Sequence, residues 1–204
     1  MTNVIEVNNA SKAFSGQTIL NNIQMNVEKG KTVGIVGGNG SGKSVLFKTI
    51  CGFIRPDNGQ VKIRGKVLGE GVDFPENVGV FINSPGYIEI YNGFKNLQYL
   101  AAINGKISDK RIKETMNLVG LNPDNKTKVK DYSLGMRQKL GIAQAIMEEQ
   151  DILILDEPFN ALDYKTYNAI KDIIKTMQAD DRTILLTSFF MMEGTIWQLK
   201  RNIP

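Results

Sequence analysis

Thr32-Val33-Gly34-Ile35-Val36-Gly37-Gly38-Asn39-Gly40-Ser41-Gly42-Lys43-Ser44 is the stretch on which the fold turns. It opens as a short apolar run of strand-forming residues. It continues as a match to G-x-x-x-x-G-K-[ST], and Val45 to Cys51 then has helical spacing. Each residue type has a chemical reason. Glycines let the backbone fold so that successive N–H groups point inward and form an anion nest. A helix starting near Ser44 adds the positive end of its dipole. Lys43 can reach the β- and γ-phosphates of a nucleotide, and the Ser44 hydroxyl is a hard oxygen ligand for Mg²⁺. The expected phosphate-binding set is Gly38, Asn39, Gly40, Ser41, Gly42, Lys43, Ser44 and Val45, with a nucleotide and Mg²⁺ as the ligands.

Downstream, Asp151-Ile-Leu-Ile-Leu-Asp156-Glu157-Pro158 reads as a buried parallel strand ending in two carboxylates. In an open α/β sheet, ligands bind at the carboxyl ends of the strands. Asp156 is therefore placed to coordinate Mg²⁺, directly or through water. Glu157 is placed to accept a proton from, or orient, an attacking water. Pro158 ends the strand.

The rest of the chain supplies the frame. Val4 and Glu6, then Ile23, Met25 and Val27, alternate with polar residues as half-buried antiparallel strands do. Val61 to Val67 reads as one more strand and turn. Helices are expected at Asn96 to Ala102, at Ser108 to Val119 with Gly120 stopping it, and after Ser133 with Leu140, Ala143 and Met147. Ile184 to Leu186 is a second buried strand, and Asp163 to Met177 is the helix before it. The order is a small antiparallel sheet, an α/β core, a helical insertion and a return to the core.

Composition narrows the function. The 204 residues include one cysteine, Cys51, which rules out an internal disulfide and fits a reducing cytoplasm. There is no histidine, so His-based metal sites and triads are excluded. The net charge of +4 suits an anionic ligand or membrane surface without deciding between them. No apolar run approaches the ~20 residues of a spanning helix, and Met1 to Ala10 has no apolar core of a signal peptide.

Over nearly its full length the chain resembles ATP-binding-cassette ATPases, on residues beyond the two shared motifs. Tyr132-Ser133-Leu134-Gly135-Met136 resembles the family signature usually written L-S-G-G-Q, about 20 residues before Asp156. Phe159-Asn160-Ala161-Leu162-Asp163 resembles the family's dimer-contacting loop, and Phe14 stands where the family has an aromatic on adenine. As a lone aromatic, Phe14 is equally readable as core. The resemblance implies a P-loop NTPase core with an N-terminal antiparallel β subdomain and an inserted α-helical subdomain, divided at 1–83, 84–147 and 148–204. It further implies a head-to-tail homodimer, or paired cassettes, in which Ser133 and Gly135 face the partner's nucleotide. The signature variant is most like cassettes of bacterial drug, bacteriocin or lantibiotic-peptide exporters. That implies a separate membrane permease and a peripheral place on the cytoplasmic face of the membrane. No nucleic-acid partner is expected, because the cassettes of DNA repair and translation carry long coiled-coil insertions or two cassettes per chain.

Three departures qualify the resemblance. Asn83 stands where the family usually has Gln touching Mg²⁺ and the water, and is one methylene shorter. Phe189, in Thr187-Ser188-Phe189, replaces the family's γ-phosphate-bonding His. Losing a hydrogen bond to a charged group predicts hydrolysis slower by about ten- to a hundredfold. Finally, Gly194 to Pro204 leaves little room for the family's further strand and helices, and Trp197 and Leu199 do not follow its pattern. Two functions stay open: an ATPase using Glu157, Lys43 and Asn83 to energise a transporter, or an ATP-gated regulatory or immunity module that hydrolyses poorly.

Overall fold

A computed structural model describes residues 2–82, 86–160 and 162–187, and the backbone alone of 195–198. Asn83, Ala161 and Phe189 lie outside the described residues. The chain runs β1 (Asn3–Phe14), β2 (Gln17–Glu28), β3 (Thr32–Val36), α1 (Lys43–Ile50), β4 (Asn58–Ile63), β5 (Lys66–Val67) and β6 (Val78–Phe81). It continues through α2 (Gly93–Asn104), α3 (Asp109–Leu118), α4 (Leu134–Ile146), β7 (Ile152–Leu155), α5 (Tyr164–Ala179), β8 (Thr183–Thr187) and β9 (Thr195–Gln198).

Alternation builds the first sheet, of order β2-β1-β4-β5 and antiparallel throughout. Ile5 pairs with Val27 on one side and Ile63 on the other, and Val7 with Met25 and Val61. All six are buried on one core. Ser15 and Gly16, both at positive φ, close β1 onto β2 as a two-residue primed turn does.

Continuous apolar runs build the second sheet, of order β6-β7-β8-β3-β9 and parallel throughout. Every residue of β7 and β8 is buried. Their side chains still alternate between two cores. Ile152, Ile154 and Leu185 join α1 and the antiparallel sheet, whereas Leu153, Leu155, Ile184 and Leu186 join α4 and α5. The α/β class expected from sequence is the one observed.

Helices α2 to α4 fall between β6 and β7. α4 seats directly on β6 through two glycines. A Cβ at Gly79 would overlap the Ala145 carbonyl oxygen, and one at Gly141 would overlap the Phe81 ring. The tail departs from expectation. Thr195–Gln198, read as leaving little room for a strand, pairs in parallel with β3. A strand at a sheet edge takes its hydrogen bonds from its neighbour, so no apolar period has to announce it. Among the described residues, no helix is long and apolar enough to cross a membrane.

Candidate functional site

Because the second sheet is wholly parallel, all its strands point their carboxyl ends to the same edge. β3, β8 and β7 are consecutive neighbours there, with Ile35 opposite Thr187 and Leu155 opposite Leu186. The glycine loop after β3 and the carboxylates after β7 are thus separated by one strand.

The loop owes its shape to positive φ at Gly40 (74°) and Gly42 (95°), a region open to glycine and strained for other residues. Gly42 has no room for a side chain either. A Cβ would lie 3.0 Å from the Ile19 carbonyl oxygen, so β2 and the hairpin before it are pressed against the loop. Gly42 also stands at the N-cap of α1, and no side chain caps that helix. Lys43, only 7% exposed, folds back so that Nζ donates to the carbonyls of Gly37 at 2.9 Å and Gly38 at 3.2 Å. Buried ammonium groups require such partners. Ser44 and Val45 are half-buried on the first turn of α1, and Gly38, Asn39 and Gly40 are exposed at the mouth.

At the other side of β8, Asp156 is buried and Glu157 half-buried. The Thr187 hydroxyl donates to Asp156 Oδ1 at 2.8 Å, and the Glu157 N–H donates to Thr187 Oγ1 at 2.6 Å. Asn160 Nδ2 donates to Glu157 Oε2 at 3.1 Å. Glu157 itself has φ 50°, an uncommon conformation for a residue with a side chain. The reading of the sequence assigned no role to Thr187. Its signal was a hydroxyl at the carboxyl end of a strand whose three central residues are aliphatic.

Ser133 caps α4, its hydroxyl accepting from Met136 N–H at 3.2 Å. The turn before it is held by Tyr132, whose buried hydroxyl accepts from Gly93 N–H at 3.2 Å. Burial raises that phenol's pKa above its usual value, with the Gly93 bond opposing. A Cβ on Gly135 would meet Thr166 at 3.1 Å. Thr166 in turn donates its N–H and hydroxyl, each at 2.9 Å, to the Asp163 carboxylate capping α5. These bonds hold the Asp163 carboxyl below its ordinary pKa. The signature-like turn therefore sits against the first turn of α5, which Asp163 caps. Phe159 packs on Tyr167 with ring centres 4.9 Å apart and planes tilted by 43°.

Phe14 is not core. It ends β1 at the hairpin, is 44% exposed, and has the Lys12 ammonium 5.5 Å from its ring centre. Cys51, at the C-cap of α1, is buried, and burial pushes its thiol up to about 12, which leaves it unreactive.

The residues fit a magnesium–nucleotide. Ser41 Oγ is buried in the loop without a hydrogen-bond partner among the described residues, and α1 begins uncapped behind it. Phosphate oxygens are acceptors for both. Among the described residues, no three Asp, Glu, Cys or His side chains converge as a metal cage. A cation beside Ser44 and Asp156 would thus take most of its ligands from phosphate and water, the habit of Mg²⁺.

Comparison with known proteins bears on this geometry. The ABC transporter family model matches residues 20–160. The chain is 41% identical to the uncharacterized ABC transporter ATP-binding protein YybJ of Bacillus subtilis (strain 168), over 91% of this chain and 85% of YybJ. It is 36% identical to the bacitracin transport ATP-binding protein BcrA of Enterococcus faecalis, over 92% of this chain but 61% of BcrA. With the lantibiotic transport ATP-binding protein SrtF of Streptococcus pyogenes the identity is 32%, over 93% and 82%. Among solved structures, an ATP-binding subunit of an ABC transporter matches with TM-score 0.80 and 26% identity, over 91% of this chain and 79% of that one. A dimeric post-hydrolysis state of the ATP-binding cassette MJ0796, bound to ADP and Pi, shares the fold with TM-score 0.81 at 23% identity, over 91% and 88%.

Proposed function

The chain belongs to the ABC transporter family, and from that premise we propose that it is the ATP-binding and ATP-hydrolysing subunit of an exporter, dimerising around two MgATP to drive a separate membrane permease. The observation that carries this reading is the meeting, at one sheet edge, of the loop around Lys43 with the Asp156–Glu157 pair.

In this reading Lys43, Ser41 and the backbone N–H groups of Gly38 to Val45 hold the phosphates, and Phe14 stacks on the adenine. Ser44 and Asp156 hold Mg²⁺, with the Asn83 amide nearby. The metal, when bound, neutralises charge on the phosphate oxygens. Glu157 orients the attacking water and takes its proton. Ser133 and Gly135 close over the nucleotide of the partner copy, an arrangement supported by the resemblance and by the exposure of Ser133. The lobes at 1–83, 84–147 and 148–204 are part of the same reading. BcrA and SrtF are named as ATP-binding proteins of bacitracin and lantibiotic transport, which supports a transport role; export, and a place on the cytoplasmic face of the membrane through the permease, follow from the resemblance.

The second reading, an ATP-gated module with little hydrolysis, draws on Phe189 and Asn83. Steady-state phosphate release from purified protein with MgATP separates the two, with Glu157→Gln as the blank. Slow turnover is expected, lost by at least about a hundredfold in the variant. A Glu157→Gln protein that keeps the wild-type rate would refute the assignment of the base. ATP binding without turnover above the blank would select the second reading.

A further inference from the structure

Thr187 ends β8, the strand between the two halves of the site. Its side chain is wholly buried, at 0% exposure, and Oγ1 touches both neighbouring residues of the carboxylate pair, 2.8 Å from Asp156 Oδ1 and 2.6 Å from Glu157 N. The chemistry fixes the direction of each bond. A peptide N–H can only donate and an ionised carboxylate can only accept. The hydroxyl therefore accepts from Glu157 and gives its single proton to Asp156.

Each bond sets something a hydrolytic site needs. Glu157 sits at φ 50°, a region that residues with a Cβ seldom adopt, so its peptide needs an external restraint to stay there. The bond to Thr187 restrains Glu157 at its N–H, the Asn160 N–H holds its carbonyl at 3.1 Å, and the Asn160 side chain fixes the carboxylate. Asp156 has its N–H tied to the Phe81 carbonyl at 2.7 Å and one carboxylate oxygen tied to Thr187. The second oxygen is then oriented without any contribution from a ligand. Valine would fill the same volume and supply neither bond.

We propose that Thr187 is a positioning residue: one hydroxyl aligns Asp156 for the metal and Glu157 for the water, governing metal affinity and turnover rather than affinity for the nucleotide. The proposal rests on the function proposed above for Asp156 and Glu157.

The test compares Thr187→Val, Thr187→Ala and Thr187→Ser with wild type and with Glu157→Gln. Two quantities are measured: kcat and KM for ATP, and Mn²⁺ affinity by electron paramagnetic resonance with a non-hydrolysable ATP analogue. Losing a hydrogen bond to a charged group predicts a kcat about tenfold lower in Thr187→Val, with KM for ATP changed by less than about twofold. Mn²⁺ binding weakens by about three- to tenfold. Thr187→Ser recovers both within about threefold, because it keeps the hydroxyl. Wild-type kcat and Mn²⁺ affinity in Thr187→Val would overturn the proposal. So would a Thr187→Ser protein as impaired as the hydroxyl-free variants, since the residue would then act by packing alone. Should the valine protein fail to fold, the Ala–Ser pair poses the same contrast. If Glu157→Gln turns over normally, the proposed base is wrong. The Mn²⁺ measurement still decides whether Thr187 holds Asp156.

Discussion

Two helix N-termini in this molecule look alike in sequence, each a Ser- and Gly-containing turn before a helix, yet they are built in opposite ways. At α1 the N-cap is Gly42 in a left-handed conformation and, among the described residues, no side chain caps the helix and Ser41 Oγ is buried without a partner. At α4 the N-cap is Ser133, whose hydroxyl already accepts from Met136 N–H. The first turn keeps its donors available for an anion and encloses them. The second satisfies its own backbone and lies exposed, with one hydroxyl proton left to give. A self-sufficient site would not need the second turn. An exposed, self-capped turn suits a surface that completes someone else's site, as the resemblance implies for Ser133 and Gly135.

The largest expected contrast follows from this difference. Lys43→Ala removes the buried cation and should reduce ATP hydrolysis by at least about a hundredfold and weaken ATP binding to the monomer, read by calorimetry. Ser133→Ala should reduce hydrolysis by about tenfold while leaving monomer binding of ATP unchanged. Loss of its cap would lower stability by about 1 kcal/mol. Equal loss of monomer binding in both variants would erase the contrast.

A smaller effect tests how the second turn is supported. Gly79→Ala pushes a methyl against the Ala145 carbonyl, so α4 has to move off β6. A destabilisation of about 1–3 kcal/mol is expected in denaturant unfolding. Hydrolysis should suffer more than ATP binding by the monomer, because α1 and its loop pack on the other face of the sheet. A variant of unchanged stability would show that the contact relaxes freely.

The smallest effect sharpens the link between the turn and the loop at 159–163. The folded pKa of Asp163 lies below its unfolded value, because it accepts from Thr166. Its cap therefore stabilises fully above the unfolded carboxylate pKa, about 3.9. That contribution disappears as pH falls through the depressed folded value. The difference in melting temperature between wild type and Asp163→Ala should accordingly shrink on acidification from pH near 7 to near 3. A difference that stays constant would show that charge has no part in the cap.

Much of this architecture is legible in residue order because it is locally dictated. The Thr32–Ser44 stretch specifies a strand, a turn needing glycine at positive φ, and a helix, all within a few residues. Ile152 to Leu155 is apolar on both faces and therefore a buried central strand, which puts Asp156 and Glu157 at its end. Ser108, Ser133 and Asp163 each cap the helix expected after them. Phe14 was undecidable as core or ligand-facing, because a single aromatic has no period. The hairpin at Ser15 and Gly16 leaves it exposed.

By itself, then, the sequence determined the phosphate loop, the carboxylate pair and the capped helices, since each follows from propensity or pattern within a short window, and it carried the resemblance to the family over nearly its full length. Only the tertiary structure decided that Thr187 ties Asp156 to Glu157 across 31 and 30 positions of chain. It alone seated α4 on β6 through Gly79 and Gly141, placed Thr166 against Gly135, and put Thr195–Gln198 beside β3. The physical reason is common to all four. A hydroxyl, a missing side chain or a sheet edge has no periodicity of its own, and acquires meaning only when the strand order brings its partner within contact distance.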